Sequence, residues 1–180
     1  YQTYKRYIPS RWKRLIFFSK FNRLYQKYEK EYETLRPGLK EILETLKEHD
    51  VPMGIVSNTG RERLEYFRDK FGLDQYFTVY ITRNETRDAK KPNPYPLLLA
   101  MKKIKDELHL REINKEITFF IGDLPSDIQS ANEAGINSIA YLGGHGKEKD
   151  LREQNPDHVI EHDFEELWEL DAFKKFLFNW

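Results

Sequence analysis

The chain has no cysteine, which excludes disulfide bonds and thiolate metal sites. It also has no apolar run long enough to cross a membrane, and no apolar segment ahead of a small-residue cleavage site that would mark a signal peptide. The formal net charge of the 180 residues is zero, so the composition favours neither a nucleic acid nor a membrane as partner. We therefore expect a cytoplasmic protein without a membrane or nucleic-acid partner.

The charge is nevertheless unevenly distributed along the chain. Residues 1–30 carry nine lysines and arginines against one acid, Glu29, and the remaining residues carry 21 basic and 29 acidic side chains. Because lysines and arginines alternate with aromatic residues within residues 1–30, this stretch could bind a nucleic acid or a membrane surface. The alternative that we prefer is that these charges attract an anionic, phosphorylated substrate.

The first part of the chain has the pattern of one long helix. Apolar or aromatic side chains recur every three or four residues over residues 11–35, which predicts a helix with one apolar stripe. Ser10 is the expected N-cap, and the Arg36-Pro37-Gly38 sequence would end the helix. We therefore predict a basic helical segment over residues 1–36 and a second domain over residues 37–180.

In the second domain, apolar strands alternate with helices. The predicted strands lie in the sequences VPMGIVSN, YFTVYIT, ITFFIGD, NSIAYLGG and HVIEHD. Several of them are apolar on both faces, which is typical of a parallel sheet that is covered by helices. We predict an α/β fold, with a three-layer, Rossmann-like parallel sheet. Gly72 and Gly135 are expected just past the ends of two helices, and Ser126 is the expected cap of the helix in SDIQSANEAG.

Polar side chains follow the predicted strands at their carboxyl ends, where open parallel sheets bind ligands. They comprise hydroxyl and amide donors, a lysine and two carboxylates: Ser57, Asn58, Lys91, Asp123 and Asp127. The donors and the ammonium would neutralise phosphoryl oxygens, and the carboxylates would bind Mg²⁺, which prefers oxygen ligands. Gly122 would let the backbone approach the ion, because it has no Cβ.

Simpler interpretations of the same residues exist. The Ser57-Asn58-Thr59 sequence could cap the helix that starts near Arg61, and the two aspartates could be a turn residue and a carboxylate at a helix N-terminus. The presence of both groups with Lys91 on one predicted sheet edge favours the metal site. We interpret His145, in the sequence GGHG, as a loop residue and not as a ligand.

Three sequences, VSNTG, KKPNPYP and IGDLPSDIQSANEAG, resemble motifs II, III and IV of the haloacid dehalogenase superfamily, in that order. The flanking sequences LRPGLKEILETLKEHDVPMGIVSN and DHVIEHDFEEL resemble its phosphoglycolate phosphatase-like branch, so that the resemblance covers about residues 36–170. It implies a phosphatase that acts on a small phosphorylated substrate through an aspartyl-phosphate. The implied roles are phosphoryl binding by Ser57 and Asn58, phosphoryl binding and catalysis by Lys91, Mg²⁺ coordination by Asp123, and support of the metal or its waters by Asp127.

The sequence departs from the family in one respect. The superfamily's first motif is a strand that ends in Asp-x-Asp-x-Thr, and no Asp-x-Asp occurs in this chain. The nearest sequence, LIFFSKFNRL at residues 15–24, lies within the predicted helix. In the related phosphatases such a helix is the last one of an inserted helical cap. The resemblance therefore implies an N-terminal truncation, with part of the cap at residues 1–36 and the nucleophile upstream.

The missing strand would lie between the strands that end at Asn58 and Asp123. Without it, buried backbone groups would stay unpaired, so we expect the chain to fold only when this strand is supplied. The strand could come from a separate upstream segment or from a rearrangement of residues 15–18. The alternative function is that of a catalytically inactive relative that binds a phosphorylated ligand or a protein partner.

Overall fold

The computed structural model describes residues 34–179, with side chains to residue 177. The chain divides into two compact units, residues 1–35 and 36–180. The helix predicted over residues 11–35 and the basic stretch at residues 1–30 lie almost entirely outside the described residues, so both stay predictions.

Helices and strands alternate along the second unit. The helices are α1 Leu39–Glu48, α2 Arg61–Phe71, α3 Arg83–Thr86, α4 Tyr95–Glu107, α5 Pro125–Ala134, α6 Glu148–Arg152 and α7 Asp171–Asn179. The strands are β1 Gly54–Val56, β2 Val79–Ile81, β3 Phe119–Gly122, β4 Asn137–Tyr141 and β5 His158–Ile160. Short 3₁₀ helices occupy Leu73–Gln75, Lys115–Ile117 and Phe164–Glu169.

The described strands form two sheets, and all pairings within them are parallel. One sheet has the order β1–β2, and the other has the order β3–β4–β5. Within residues 34–179, no strand pairing joins β1 to β3. The separation falls where the sequence leads us to expect an additional strand.

Apolar side chains on both faces of β4 hold the three layers together. Ile139 and Tyr141 face a cluster that includes Ile42 of α1 and Phe173 and Phe176 of α7. On the opposite face, Ala140 packs with Ile128 of α5 and Leu151 of α6. The alternation puts helices on both sides of the sheet, so the predicted three-layer α/β fold with parallel strands is confirmed.

The two sheets share part of one apolar layer. Val56 of β1 and Phe120 of β3 both pack against a cluster formed by α4, α5 and the residue just before β4: Leu97, Ala131, Ala134 and Ile136. The strands on either side of the separation therefore rest on the same helices, although they do not pair with each other.

Most predicted helix ends are confirmed, and one predicted cap is wrong. Gly72 and Gly135 follow α2 and α5 with φ values of 60° and 71°. Ser126 does not cap α5, because this helix begins at Pro125 and the Asp127 carboxylate accepts the Leu124 N–H at 3.1 Å. Helix α6 was not among the predicted elements. Among the helices of residues 34–179, none combines the length and the apolarity that a membrane span needs.

The Glu85 carboxylate stabilises the turn after β2 by accepting several hydrogen bonds. Glu85 accepts hydrogen bonds from the backbone N–H and the hydroxyl of Thr82, and it pairs with the Arg61 guanidinium at the start of α2. Partial burial alone would raise the pKa of Glu85, but the hydrogen bonds from Thr82 and Arg61 outweigh it and lower the pKa to about 2. The same turn caps α2, since Asn84 Oδ1 accepts the Arg61 N–H at 2.9 Å.

We expect Glu85→Gln to destabilise the protein at neutral pH by about 1–2 kcal/mol, because the charge-assisted hydrogen bonds weaken. The folded-state pKa of Glu85 lies below its ordinary value of 4.5, so its stabilising effect is complete above that pH and is lost as the pH falls towards 2. Urea unfolding of both proteins at pH 7, 4 and 2.5 should therefore show a difference that shrinks with falling pH. A difference that is constant over this range would contradict the assignment.

Candidate functional site

The predicted site residues lie at the carboxyl edge of the strands. Ser57 and Asn58 directly follow β1, Lys91 lies in the loop between α3 and α4, and Asp123 directly follows β3. Asp127 is in the first turn of α5. The alternation of strands and helices thus carries residues that are up to 70 positions apart to one edge.

Asn58 holds the backbone of Lys91 by two hydrogen bonds. Its Nδ2 donates to the Lys91 carbonyl at 3.0 Å, and its Oδ1 accepts the Lys91 N–H at 3.0 Å. One side-chain amide therefore satisfies both backbone groups of a residue that lies 33 positions further on. This contact fixes the loop before α4 against the end of β1.

The Lys91 ammonium is buried and contacts both strands that border the separation between the sheets. It donates to the carbonyl of Val56 in β1 at 2.9 Å, and it lies 4.9 Å from the centre of the Phe120 ring in β3. It also forms an ion pair with Asp127, with 2.7 Å between Nζ and Oδ1. The Lys91 and Asp127 side chains are only 8% and 6% exposed, so water screens this pair weakly.

Asp127 uses both of its oxygens within the described part of the chain. Oδ1 has the Lys91 ammonium as its one charged partner there, and Oδ2 accepts the Leu124 N–H. The carboxylate reaches this position because Gly122 has no side chain: a Cβ there would lie 2.2 Å from the Asp127 Cβ. We expected Gly122 to make room for an ion, but in the structure it makes room for Asp127.

Asp123 lies beside a glycine-rich loop that follows β4. Its Oδ2 accepts the backbone N–H of His145 at 2.8 Å and lies 3.0 Å from His145 Nδ1. A Cβ on Gly144 would lie 2.2 Å from the Asp123 Cβ, so the close approach of this loop requires glycine. Burial alone would raise the pKa of Asp123, but the hydrogen bonds from His145 outweigh it and hold the pKa below its ordinary value. The carboxylate is therefore ionised at neutral pH.

His145 contacts a predicted site residue, which the sequence analysis did not foresee. Isolated histidines in glycine-rich loops are common, and no spacing to another ligand distinguishes this one. The one useful indication is the run of glycines in GGHG, which permits the loop to approach a neighbouring segment closely.

Among the described residues, the Ser57 side chain makes a local hydrogen bond, whereas its backbone N–H donates to the Ile81 carbonyl in β2 at 2.8 Å. The Ser57 Oγ accepts the Thr59 N–H at 3.2 Å, and the N-terminus of α2 is capped by Asn84 instead. Lys91 thus contacts both Asn58 and Asp127, Ser57 directly precedes Asn58, and Asp123 lies four residues before Asp127. Their roles in phosphoryl and metal binding stay predictions.

The described residues do not by themselves form a complete metal site. Within residues 34–179, no group of three or more histidine, aspartate or glutamate side chains is positioned to hold an ion. Asp123 Oδ1 is the carboxylate oxygen that does not take part in the His145 contacts, whereas both oxygens of Asp127 are occupied. Asp123 therefore suits one position in a shell of hard oxygen ligands.

Comparison with known proteins identifies the family. Residues 1–141 match the model of the haloacid dehalogenase-like hydrolases, which is most of the chain, and the match includes the stretch before residue 36. The chain therefore belongs to the haloacid dehalogenase-like hydrolase family.

Individual relatives agree with this assignment. A protein from Caldanaerobacter subterraneus subsp. tengcongensis, named as a pyrophosphatase (PpaX), is 30% identical over 93% of this chain and 70% of its own length. A phosphoglycolate phosphatase from Yersinia pestis is 30% identical over 79% of this chain. A solved structure from Clostridium difficile, named as a phosphatase, covers 93% of this chain and 74% of its own chain with a TM-score of 0.73 and 20% identity, which supports the fold alone.

The chain is shorter than these relatives. It spans 58% of the Yersinia pestis phosphatase and 45% of a phosphoglycolate phosphatase from Pseudomonas syringae pv. tomato. These matches therefore establish the family, and not the activity or the substrate of the whole protein.

We expect Asn58→Ala to destabilise the protein by roughly 2–4 kcal/mol, because two backbone groups of Lys91 lose their partners in a partly buried site. Asn58→Asp retains the acceptor for the Lys91 N–H but loses the donor to the Lys91 carbonyl, so its effect should be smaller. Urea unfolding of the three proteins measures both changes. Asn84→Ala, which removes an exposed cap, is the matched control, with an expected loss of about 1 kcal/mol. Equal effects of all three variants would contradict a special role for the Asn58 contact.

Proposed function

We propose that the chain forms the core of a Mg²⁺-dependent phosphatase that hydrolyses a small phosphomonoester. The observation that carries this proposal is the direct contact of Asn58, Lys91 and Asp127 at the carboxyl edge of the strands, beside Asp123. These residues come from three separate strand–helix units, and their order along the chain is that of motifs II to IV. The family assignment supports hydrolysis as the general reaction.

The charges of this site favour a divalent cation. Lys91 contributes one positive charge, but Asp127 at 2.7 Å neutralises it, and Asp123 adds a negative charge. The group is therefore net negative before any substrate binds, and a phosphate dianion would be repelled from it. Mg²⁺ bound with the help of Asp123 would reverse this balance, and it would polarise the phosphoryl oxygens.

The remaining residues have roles in binding and positioning. The Lys91 ammonium would contact the phosphoryl group and the attacking carboxylate, and Asp127 holds that ammonium in place. The Ser57 hydroxyl and the Asn58 N–H would bind the phosphoryl oxygens, whereas the N–H groups of Ser57 and Thr59 already donate to Ile81 and to Ser57 Oγ. Asn58 acts mainly through Lys91, because its amide is engaged with the Lys91 backbone.

The attacking group has to come from a segment other than residues 34–179. The Asp-x-Asp-x-Thr motif is absent from the sequence, and the separation between β1 and β3 is where its strand would lie. We propose that an upstream strand pairs with both neighbours and puts its first aspartate next to Lys91. That aspartate would attack phosphorus as the phosphorus–oxygen bond of the ester breaks, and the alcohol would leave with a proton from the second aspartate of the motif. Water would then attack the aspartyl-phosphate, which releases phosphate and restores the carboxylate.

The test is hydrolysis of p-nitrophenyl phosphate, with and without Mg²⁺, by residues 1–180 and by the same chain preceded by a strand ending in Asp-x-Asp-x-Thr. We expect Mg²⁺-dependent turnover only in the extended protein. Asp123→Asn retains the shape and an acceptor for the His145 N–H but removes the charge, so turnover should fall by at least about 100-fold, the size of effect seen when electrostatic stabilisation is lost. Asp106→Ala is the matched control and should leave turnover unchanged, because Asp106 lies in the last turn of α4, where it is exposed and pairs with Lys102.

Other results would overturn the proposal in distinct ways. Turnover by residues 1–180 alone would show that the nucleophile lies within this chain. Absence of turnover in both forms, with binding of a phosphorylated compound retained, would favour an inactive relative that binds such ligands. Salt-sensitive binding to a nucleic acid or to liposomes that disappears on deletion of residues 1–30 would favour a binding protein whose basic stretch contacts nucleic acid or a membrane surface.

A further inference from the structure

An arginine that belongs to none of the three motifs lies over the loop of the predicted phosphate donors. Arg83 is the first residue of α3, and its backbone N–H donates to the Thr59 carbonyl at 3.1 Å. The pairing of Val56 with Ile81 explains this position, since it brings the residues after β1 and after β2 to the same height at the sheet edge.

The guanidinium of Arg83 uses space that Gly60 leaves open. Its Nη2 and Nε atoms lie 3.4 and 3.5 Å from the point that a Cβ on Gly60 would occupy. The guanidinium is thus held against the backbone of the Ser57–Gly60 loop. Its own residue is exposed, so the donors stay accessible from solvent.

The neighbouring charges are already paired, but that of Arg83 is not. Glu85, the nearest acid along the chain, is bound to Arg61 and to Thr82. Within residues 34–179, no carboxylate forms an ion pair with the Arg83 guanidinium. A cation next to an anion-binding loop, with its fork of donors unused, is suited to planar recognition of a carboxylate or to a phosphate.

We propose that Arg83 binds a second anionic group of the substrate. The inference rests on the proposed phosphatase function, and it narrows the substrate class to phosphate esters or anhydrides that carry another carboxylate or phosphate near the scissile bond. Arg83 is then a specificity-determining residue. It contacts the part of the substrate that does not react, while Lys91 contacts the part that does.

The test compares substrates with and without the second anion, using the extended protein described above. For 2-phosphoglycolate and pyrophosphate, Arg83→Ala should lower kcat/KM by about tenfold or more, mainly through KM, because a charge-assisted hydrogen bond is lost. For p-nitrophenyl phosphate, which has no second anion, we expect a change below about twofold. Arg83→Lys should lie between the two, since it retains the charge without the fork of donors.

Arg111→Ala is the matched control. This arginine is also exposed, but it lies between α4 and β3, at the opposite edge of the sheet, and its removal should affect none of the substrates. Equal losses of kcat/KM for all substrates on Arg83→Ala, or no loss for any, would overturn the inference.

The two proposals can fail separately. If the extended protein with Arg83 in place does not hydrolyse p-nitrophenyl phosphate, the phosphatase proposal fails. Calorimetric titration with 2-phosphoglycolate and with inorganic phosphate then decides the role of Arg83 alone. Weaker binding of 2-phosphoglycolate to the Arg83→Ala variant, with unchanged binding of phosphate, supports it, and equal binding of 2-phosphoglycolate to both proteins overturns it.

Discussion

The buried ammonium of Lys91 is the contact on which the arrangement of the site depends. It touches β1 through the Val56 carbonyl, β3 through the Phe120 ring, and α5 through Asp127. Removing a charge from water costs several kcal/mol, and a buried ion pair recovers that energy only when its hydrogen bonds are well placed. An apolar residue could fill the same space with a smaller desolvation penalty. The retention of a charged pair here is therefore better explained by what the charge does than by stability.

The burial of the Lys91 ammonium also explains the role of Asn58, whose amide hydrogen-bonds the Lys91 backbone. A long, flexible side chain is a poor positioning device unless its own backbone is fixed. The Asn58 amide fixes that backbone from the end of β1, and the Asp127 carboxylate fixes the far end of the side chain. The ammonium is thereby held from two sides. The same arrangement ties together the two sheets, which have no strand pairing between them in the described residues.

The burial of the strands reflects that separation. Residues of β4, which has a neighbour on each side, are nearly all fully buried, whereas the apolar residues of β1 and β3 are only partly buried. An exposed edge on an apolar strand is a liability, because the strand can pair with another chain, and native proteins usually protect such edges. A further strand in this position would cover both edges, and it would lie next to Lys91. The demands of stability and of chemistry thus point to the same location.

The sequence predicted those features that depend on local patterns. Apolar runs gave the five strands and their parallel arrangement, and glycines gave the ends of α2 and α5. Short motifs brought Asn58, Lys91 and Asp127 together. It could not predict contacts that depend on distant segments: Asn84 caps α2 from another loop, and His145 reaches Asp123 across the sheet edge. Ser126 was wrongly expected to cap α5, because a propensity for caps says nothing of the Asp127 carboxylate that takes this role.

Two cations lie at the same edge of the sheet, the buried Lys91 and the exposed Arg83, and their burial affects what each can contribute to binding. Lys91 is neutralised by Asp127 and fixed in place, so in its proposed role it would treat every phosphoryl group alike. Arg83 is exposed, so each contact with it is weaker, but its loss costs the fold little. Substitutions at such a position can change the substrate without disturbing the buried pair. If Lys91 and Arg83 have the roles proposed above, substitutions at Arg83 would change the substrate preference while the buried Lys91–Asp127 pair, and with it the chemistry, stays the same.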